Sequence, residues 1–409
     1  MRSAWTLALA ACGCRGVLGI QQPIDATDSA ILIDAPAACT FWHPQGVDPC
    51  ALGVPARALT LGAGQYIYDT TTAGGKLSEV EPGNTMRAIL SSELTAMQSD
   101  GSAIAVLSVE SLTVAAGATV RVVGVKPLLV VAWSTIQIDG AIDAGSHAGD
   151  VRWGAGANQA CAPAAAMKGG DAPDTGGSGG GGGAGHHGVG GTGGAADVTA
   201  GGSGGGSVSA LVLRGGCTGA DSGAAGLVAQ SPSTRSTTSA GGGGGGAIRL
   251  LAHDSIDIAG SLSAGGAGGA GALERSACGG GGGGSGGYIA LDAPALKISG
   301  AVAANGGGGG GGGGPADGDP GRAGGDGRLD LRPALGGGPS VLGCGPPGGD
   351  GAAETGLDGK PGIAFVPTQM CPKVAGGGGG GGSSGFIFVA SPAFTAAPTS
   401  KISPPAAMQ

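Results

Sequence analysis

Aromatic side chains are scarce in this chain, at 3%, and charged ones make up only 12%. With so few rings, a single bulky core is a poor fit. The apolar residues are mostly Ala, Val, Ile and Leu, which suit thin, repetitive β layers. No Lys/Arg cluster stands out against the net charge of −8, so nothing is present to neutralise the phosphates of a nucleic acid. The same balance speaks against an electrostatic grip on anionic lipid. No run of about 18 apolar residues occurs, so no transmembrane helix is expected. CxxC pairs of the kind that hold zinc are missing too.

Glycine dominates instead. The chain has 97 Gly and 24 Pro in 409 residues, a share at which low-complexity disorder becomes an alternative. Yet 41% of the residues are apolar and mean hydropathy is +0.22, opposite to the usual balance of a disordered chain. Order is therefore expected.

The amino terminus carries an address. Arg2 is followed by the apolar stretch Ala4 to Leu9 and the small pair Ala10-Ala11, the layout of a secretory signal. Leu9-Ala10-Ala11-Cys12 resembles the lipobox of bacterial lipoproteins, which implies cleavage after residue 11 and acylation of Cys12. Cys14 fits that pattern less well, because Ala11 then stands where Leu is wanted. Eight further cysteines are dispersed along the chain, as in disulfide-bonded exported proteins. Cys39 and Cys50, flanking a short loop with Pro and Gly, are the expected pair. The layout reads as signal peptide 1–11, lipidated cysteine and tether 12–38, N-terminal β region 39–145, and glycine-rich β-solenoid 146–409.

In 39–145, short apolar runs broken by Gly and Pro predict strands; only Met86 to Met97 has a helical look. From residue 128 a repeat emerges. The stretches 129–149, 248–269 and 288–309 align, with Ile136/Ile138, Ile256/Ile258 and Leu296/Ile298 in matching places, and 385–394 is a partial copy. Ile-x-Ile puts two apolar side chains on one strand face and leaves Gln137, Asp257 and Lys297 on the other. Three short strands per repeat, separated by corners, predict an all-β fold: a parallel β-helix with long glycine-rich loops.

Between the repeats, Gly recurs at every third place from Gly176 to Gly194. Extended helices with three residues per turn need such spacing to pack closely. A stretch this rich in glycine also meets any threefold register by chance. Flexible loops are therefore the first expectation, and a bundle of polyglycine-type segments the alternative.

The lipobox, the Asp/Ala/Pro tether and the cassette from Gly241 to Gly269 resemble glycine-rich surface lipoproteins of gliding and predatory soil bacteria, the myxobacterial type. The tracts are also similar to those of mycobacterial PE-PGRS proteins, without their helical PE domain. The resemblance implies a cell-surface location and no particular activity.

Chemistry is hard to find. GxSxG around Ser203 and Ser285 lies inside glycine tracts, without the strand and helix of a nucleophile elbow. The GxGxxG matches have no following helix. Pro361 after Gly359-Lys360 rules out a phosphate loop. Leu329 breaks the calcium nonapeptide begun at Gly324. His43, His147, His186, His187 and His253 are scattered, and His186-His187 is expected in solvent. Asp139 and Asp257 are placed to align on neighbouring coils, without Arg or Lys beside them.

No catalytic residue, metal or cofactor is expected. The reading is a lipid-anchored structural or adhesive protein of the outer membrane or cell surface. Its expected partners are the membrane and an extracellular matrix, glycan or neighbouring cell surface. The alternative is a glycan-binding or glycan-cleaving surface β-helix protein.

Overall fold

The computed structural model describes residues 39, 41, 47–52, 55, 57–72, 74–158, 161, 164–173, 176–225, 238–273, 277–314, 319–369, 371 and 375–409. Cys12 and the signal and tether segments lie outside them. The chain divides into two units, Met1–Cys39 and Thr40–Gln409; Cys39 apart, everything below concerns the second.

Its strands in chain order begin with β1 (Leu59–Leu61), β2 (Gly64–Asp69), β3 (Gly75–Glu81), β4 (Thr85–Ser92) and β5 (Thr95–Met97). Next come β6 (Ala103–Val109), β7 (Leu112–Val114), β8 (Ala118–Val123), β9 (Leu128–Ala132), β10 (Thr135–Ile138) and β11 (Ala141–Asp143). Two triplets follow: β12 (Ala247–Ala252), β13 (Ser255–Ile258), β14 (Ser261–Ser263), then β15 (Tyr288–Asp292), β16 (Ala295–Ile298), β17 (Ala301–Ala303). The chain closes with β18 (Phe386–Ala390), β19 (Ala393–Ala396), β20 (Lys401–Ser403) and β21 (Ala407–Met408).

They form three sheets. The first, β1-β7-β10-β13-β16-β19, is parallel throughout. The second runs β20-β17-β14-β11-β8-β2-β3-β4, with β3 antiparallel to both β2 and β4. The third runs β21-β18-β15-β12-β9-β6-β5, with β5 antiparallel to β6. Repeats pair in the aligned register: Ile136 beside Ile256, and Ile256 beside Leu296. Their inward side chains join in one core, where Ile138, Ile258, Ile298, Leu250, Leu262 and Ile289 are wholly buried. Each such side chain contributes about 1.5–3 kcal/mol. Gln137, Asp257 and Lys297 face outward.

The expected fold class needs correction. Among the described residues the chain is strand-rich with almost no helix, but a single parallel β-helix over 146–409 is not found. Two of the three sheets are mixed, and successive triplets, though stacked in register, are separated by glycine tracts. Between β11 and β12, between β14 and β15, and again between β17 and β18, the chain leaves the sheets for glycine tracts in which no strand is found among the described residues. The helical expectation at Met86 to Met97 also fails. This stretch forms β4, which pairs with the edge of β3 and is tied across it by Arg87 to Glu79 and Glu81, and β5, which pairs with β6.

Candidate functional site

The glycine tracts are ordered, which overturns the expectation of flexible loops. Along 179–184, successive amides donate to three segments in rotation. Gly179, Gly180 and Gly181 donate to Gly170, Gly194 and Gly280; Gly182, Gly183 and Ala184 then donate to Met167, Gly191 and Gly283. The carbonyls use three other segments: Gly179, Gly180 and Gly181 accept from Gly223, Gly202 and Gly380, and the next three from Ala220, Gly205 and Ser383. A period of three in both donors and acceptors is that of an extended helix with three residues per turn. Six segments therefore ring this one.

The same holds at 280–285, whose partners lie in 377–380, 267–270, 217–220, 181–184, 307–310 and 242–245. It holds at 376–382, between 307–313, 178–181, 360–363, 280–283, 191–194 and 349–352. It holds again at 305–311, between 281–284, 349–352, 322–325, 266–272, 379–382 and Gly337. Four interior segments with shared neighbours make a hexagonal bundle. Ringing by six segments at backbone distance leaves no room for side chains, which is why the interior reads as glycine.

The energetics are narrow. Ordering a residue costs about 1–2 kcal/mol of backbone entropy, glycine the most, while each hydrogen bond contributes about 0.5–1.5 kcal/mol net. The bundle therefore depends on its attachments. Disulfides join Cys161 to Cys217 and Cys344 to Cys371, at bundle segments and their connecting loops. Cys39 and Cys50 are each disulfide-bonded as well. Cys278 is buried, with its Sγ 3.5 Å from Ser239 Oγ.

An ionic junction ties the bundle to the second sheet. His147 Nε2 lies 2.9 Å from Asp143 Oδ2, and its Nδ1 lies 3.2 Å from Asp326 Oδ2. Arg121 reaches Asp143 at 2.5 Å and Asp150 at 3.0 Å. Asp326 also accepts the amides of Ala148 and Gly268. Hydrogen bonds to Asp143 and Asp326 raise His147 to about 9, so it is charged at neutral pH. Burial pushes both carboxyls up, but His147, joined by Arg121 on Asp143 and by the Gly268 and Ala148 amides on Asp326, outweighs it and holds each below the usual carboxylate range.

His186 is not in solvent. It is fully buried at a bundle end, with Nδ1 2.8 Å from Gly286 O and its ring edge-on to Phe386. Burial lowers it to about 4, which keeps it neutral. His187 stacks on Phe386. Ser285 is buried too, and its Oγ accepts the amide of Cys217. Ser203 lies on the rim, where Val189, Thr192, Ala200, Met167 and Ile363 are also exposed.

On the first sheet, Asp139 does not align with Asp257. Gln137 stands opposite Asp257, and Asp139 accepts from the Gln137 amide at 2.8 Å. A cation does accompany Asp257: Lys297 is its neighbour on β16, at 3.2 Å. Matching the two acids alone along the sequence does not reveal that pairing. On the outer face of the third sheet, Arg249 and Asp292 pair at 2.6 Å beside Tyr288 and Phe388. Among the described residues no group of three or more His, Cys, Asp or Glu is placed to hold a metal ion, and no helix is long and apolar enough to cross a membrane.

No protein-family model, no curated protein and no solved structure matches the chain.

Proposed function

We propose that this chain is an exported, lipid-anchored surface protein whose role is structural or adhesive, not catalytic. The observation that carries the reading is the ring of six hydrogen-bonded segments around each interior glycine run. Such a body holds its backbone rigidly and presents rim side chains at every third residue, a suitable platform for display outside a cell. Disulfides favour an oxidising compartment. The lipobox-like run ending at Cys12 supplies the address and the attachment, stable when two or more acyl chains are present. The outward carboxylates of the first sheet are engaged by Lys297 and Gln137, which favours a structural face over an acid–base pair.

The test is fractionation in a Gram-negative host. The parent protein is expected in membranes, released by detergent and accessible to antibody on intact cells. Cys12→Ser is expected in the soluble exported fraction. Parent protein confined to the cytosol, or Cys12→Ser still held in membranes, contradicts the reading.

A further inference from the structure

We infer that the cleft beside Trp153 is a binding site for a neutral pyranose sugar. Trp153 is the only exposed aromatic ring among the described residues, at 40%. It borders a cleft of about 420 Å3 that is also lined by Asp69, Thr71, Val125, Val151 and Arg152. That volume lies within the usual range for small-ligand sites, roughly 300–1,000 Å3.

The indole is held in place. A Cβ on Gly243 would stand 1.4 Å from Trp153 Cε3, so only glycine in that bundle segment lets the ring lie against its backbone. Gly124 donates its amide to the Trp153 carbonyl at 3.4 Å. Beside the ring, Arg152 Nη1 lies 3.6 Å from Asp69 Oδ2, close enough to attract but too far for a good hydrogen bond. Asp69 Oδ1 is fixed by the Thr71 amide at 2.9 Å.

A pyranose matches these groups. Its C–H face stacks on the exposed indole, with Val125 and Val151 at the flanks. Adjacent hydroxyls then donate to the Asp69 carboxylate and accept from the Arg152 guanidinium, bridging the pair from the cleft side. An anionic sugar fits less well, because Asp69 faces the same cleft and the chain carries a net charge of −8. Trp153, Asp69 and Arg152 are thus the ligand-contacting residues, and Gly243 is a positioning residue. The inference names a partner chemistry for the adhesive reading, yet it does not need membrane attachment.

The experiment is calorimetric titration of the detergent-solubilised full chain with hexasaccharides of glucose, mannose and galactose. At least one is expected to bind. Trp153→Ala should weaken that binding about tenfold or more, and Trp153→Phe should keep part of it. Arg152→Ala, at an exposed position, should weaken it as well. Gly243→Ala should weaken it by displacing the ring while removing no contacting group. Absence of binding by all three sugars at millimolar concentration overturns the inference. So does unchanged affinity in both Trp153→Ala and Arg152→Ala. Neither result bears on whether Cys12→Ser leaves the membrane, so the two proposals fail separately.

Discussion

Gly282 and Gly182 approach across neighbouring bundle segments so closely that a Cβ on Gly282 would lie 1.9 Å from the Gly182 carbonyl oxygen. The oxygen belongs to backbone that is itself hydrogen-bonded to Ala220, so it has little freedom to retreat. Gly282→Ala is expected to cost roughly 1–3 kcal/mol, the range for overpacking a tight interior. Gly62 has open space at the same position, and Gly62→Ala should stay within about 0.5 kcal/mol. Urea midpoints of the two variants beside the parent check this; equal midpoints contradict close packing.

Ile258→Asp should bury a carboxylate beside Ile138 and Ile298, its neighbours in register, and cost several kcal/mol, roughly 3 or more. Asp257→Ser, one residue away on the outward face, should cost about 0.5 kcal/mol or less, because its pair with Lys297 is exposed. Thermal unfolding of both separates the faces. Similar losses would mean that the inward and outward faces of β13 are not distinguished by packing.

Stability should respond to pH at the His147 junction. His147 rises from 6.5 to about 9 on folding, so its contribution is full below pH 6.5 and is lost as pH climbs through 9. Screening at a partly exposed side chain keeps the effect to about 1 kcal/mol. His186 works in the other direction. Burial lowers it to about 4, so stability is kept above pH 6.5 and lost as pH falls towards 4. Melting temperature across pH 4–10 should therefore fall on both sides. His147→Gln should flatten the alkaline limb and leave the acid one; an unchanged alkaline limb contradicts the assignment.

Reduction should loosen the bundle. The Cys161–Cys217 and Cys344–Cys371 links span 56 and 27 residues, and chain entropy assigns them about 4 and 3.5 kcal/mol. Adding reductant should lower the melting temperature and open glycine segments to protease. Unaltered proteolysis in the reduced protein would show that the sheets alone hold the bundle.

Much of the strand pattern was legible because apolar and polar side chains alternate. Ile136-Gln137-Ile138 and Ser255-Ile256-Asp257-Ile258 announce both an inward face and a register. The threefold spacing of Gly176 to Gly194 was legible too, but not its meaning. Glycine has no side chain to reveal that Gly180 pairs with Gly194 and Gly202, since backbone groups choose those partners only once the topology brings them together. His186 was misread for the same reason: no apolar neighbour in sequence marks its burial. The strand β4 was misread because spaced apolar residues imitate a helix when the pairing edge of β3 is out of view. The junction at His147 was invisible because Asp326 is far away along the chain.

The central claim is that the glycine tracts form one hydrogen-bonded hexagonal bundle, and amide hydrogen exchange tests it most directly. Read by mass spectrometry in native buffer, peptides covering 179–184, 280–286 and 376–382 should be protected nearly as strongly as those covering β12 and β15, because successive amides in each tract donate inside the body. Their protection should disappear together with that of the strands as denaturant is added. Complete exchange of the three glycine peptides within seconds, while β12 and β15 stay protected, would contradict the bundle.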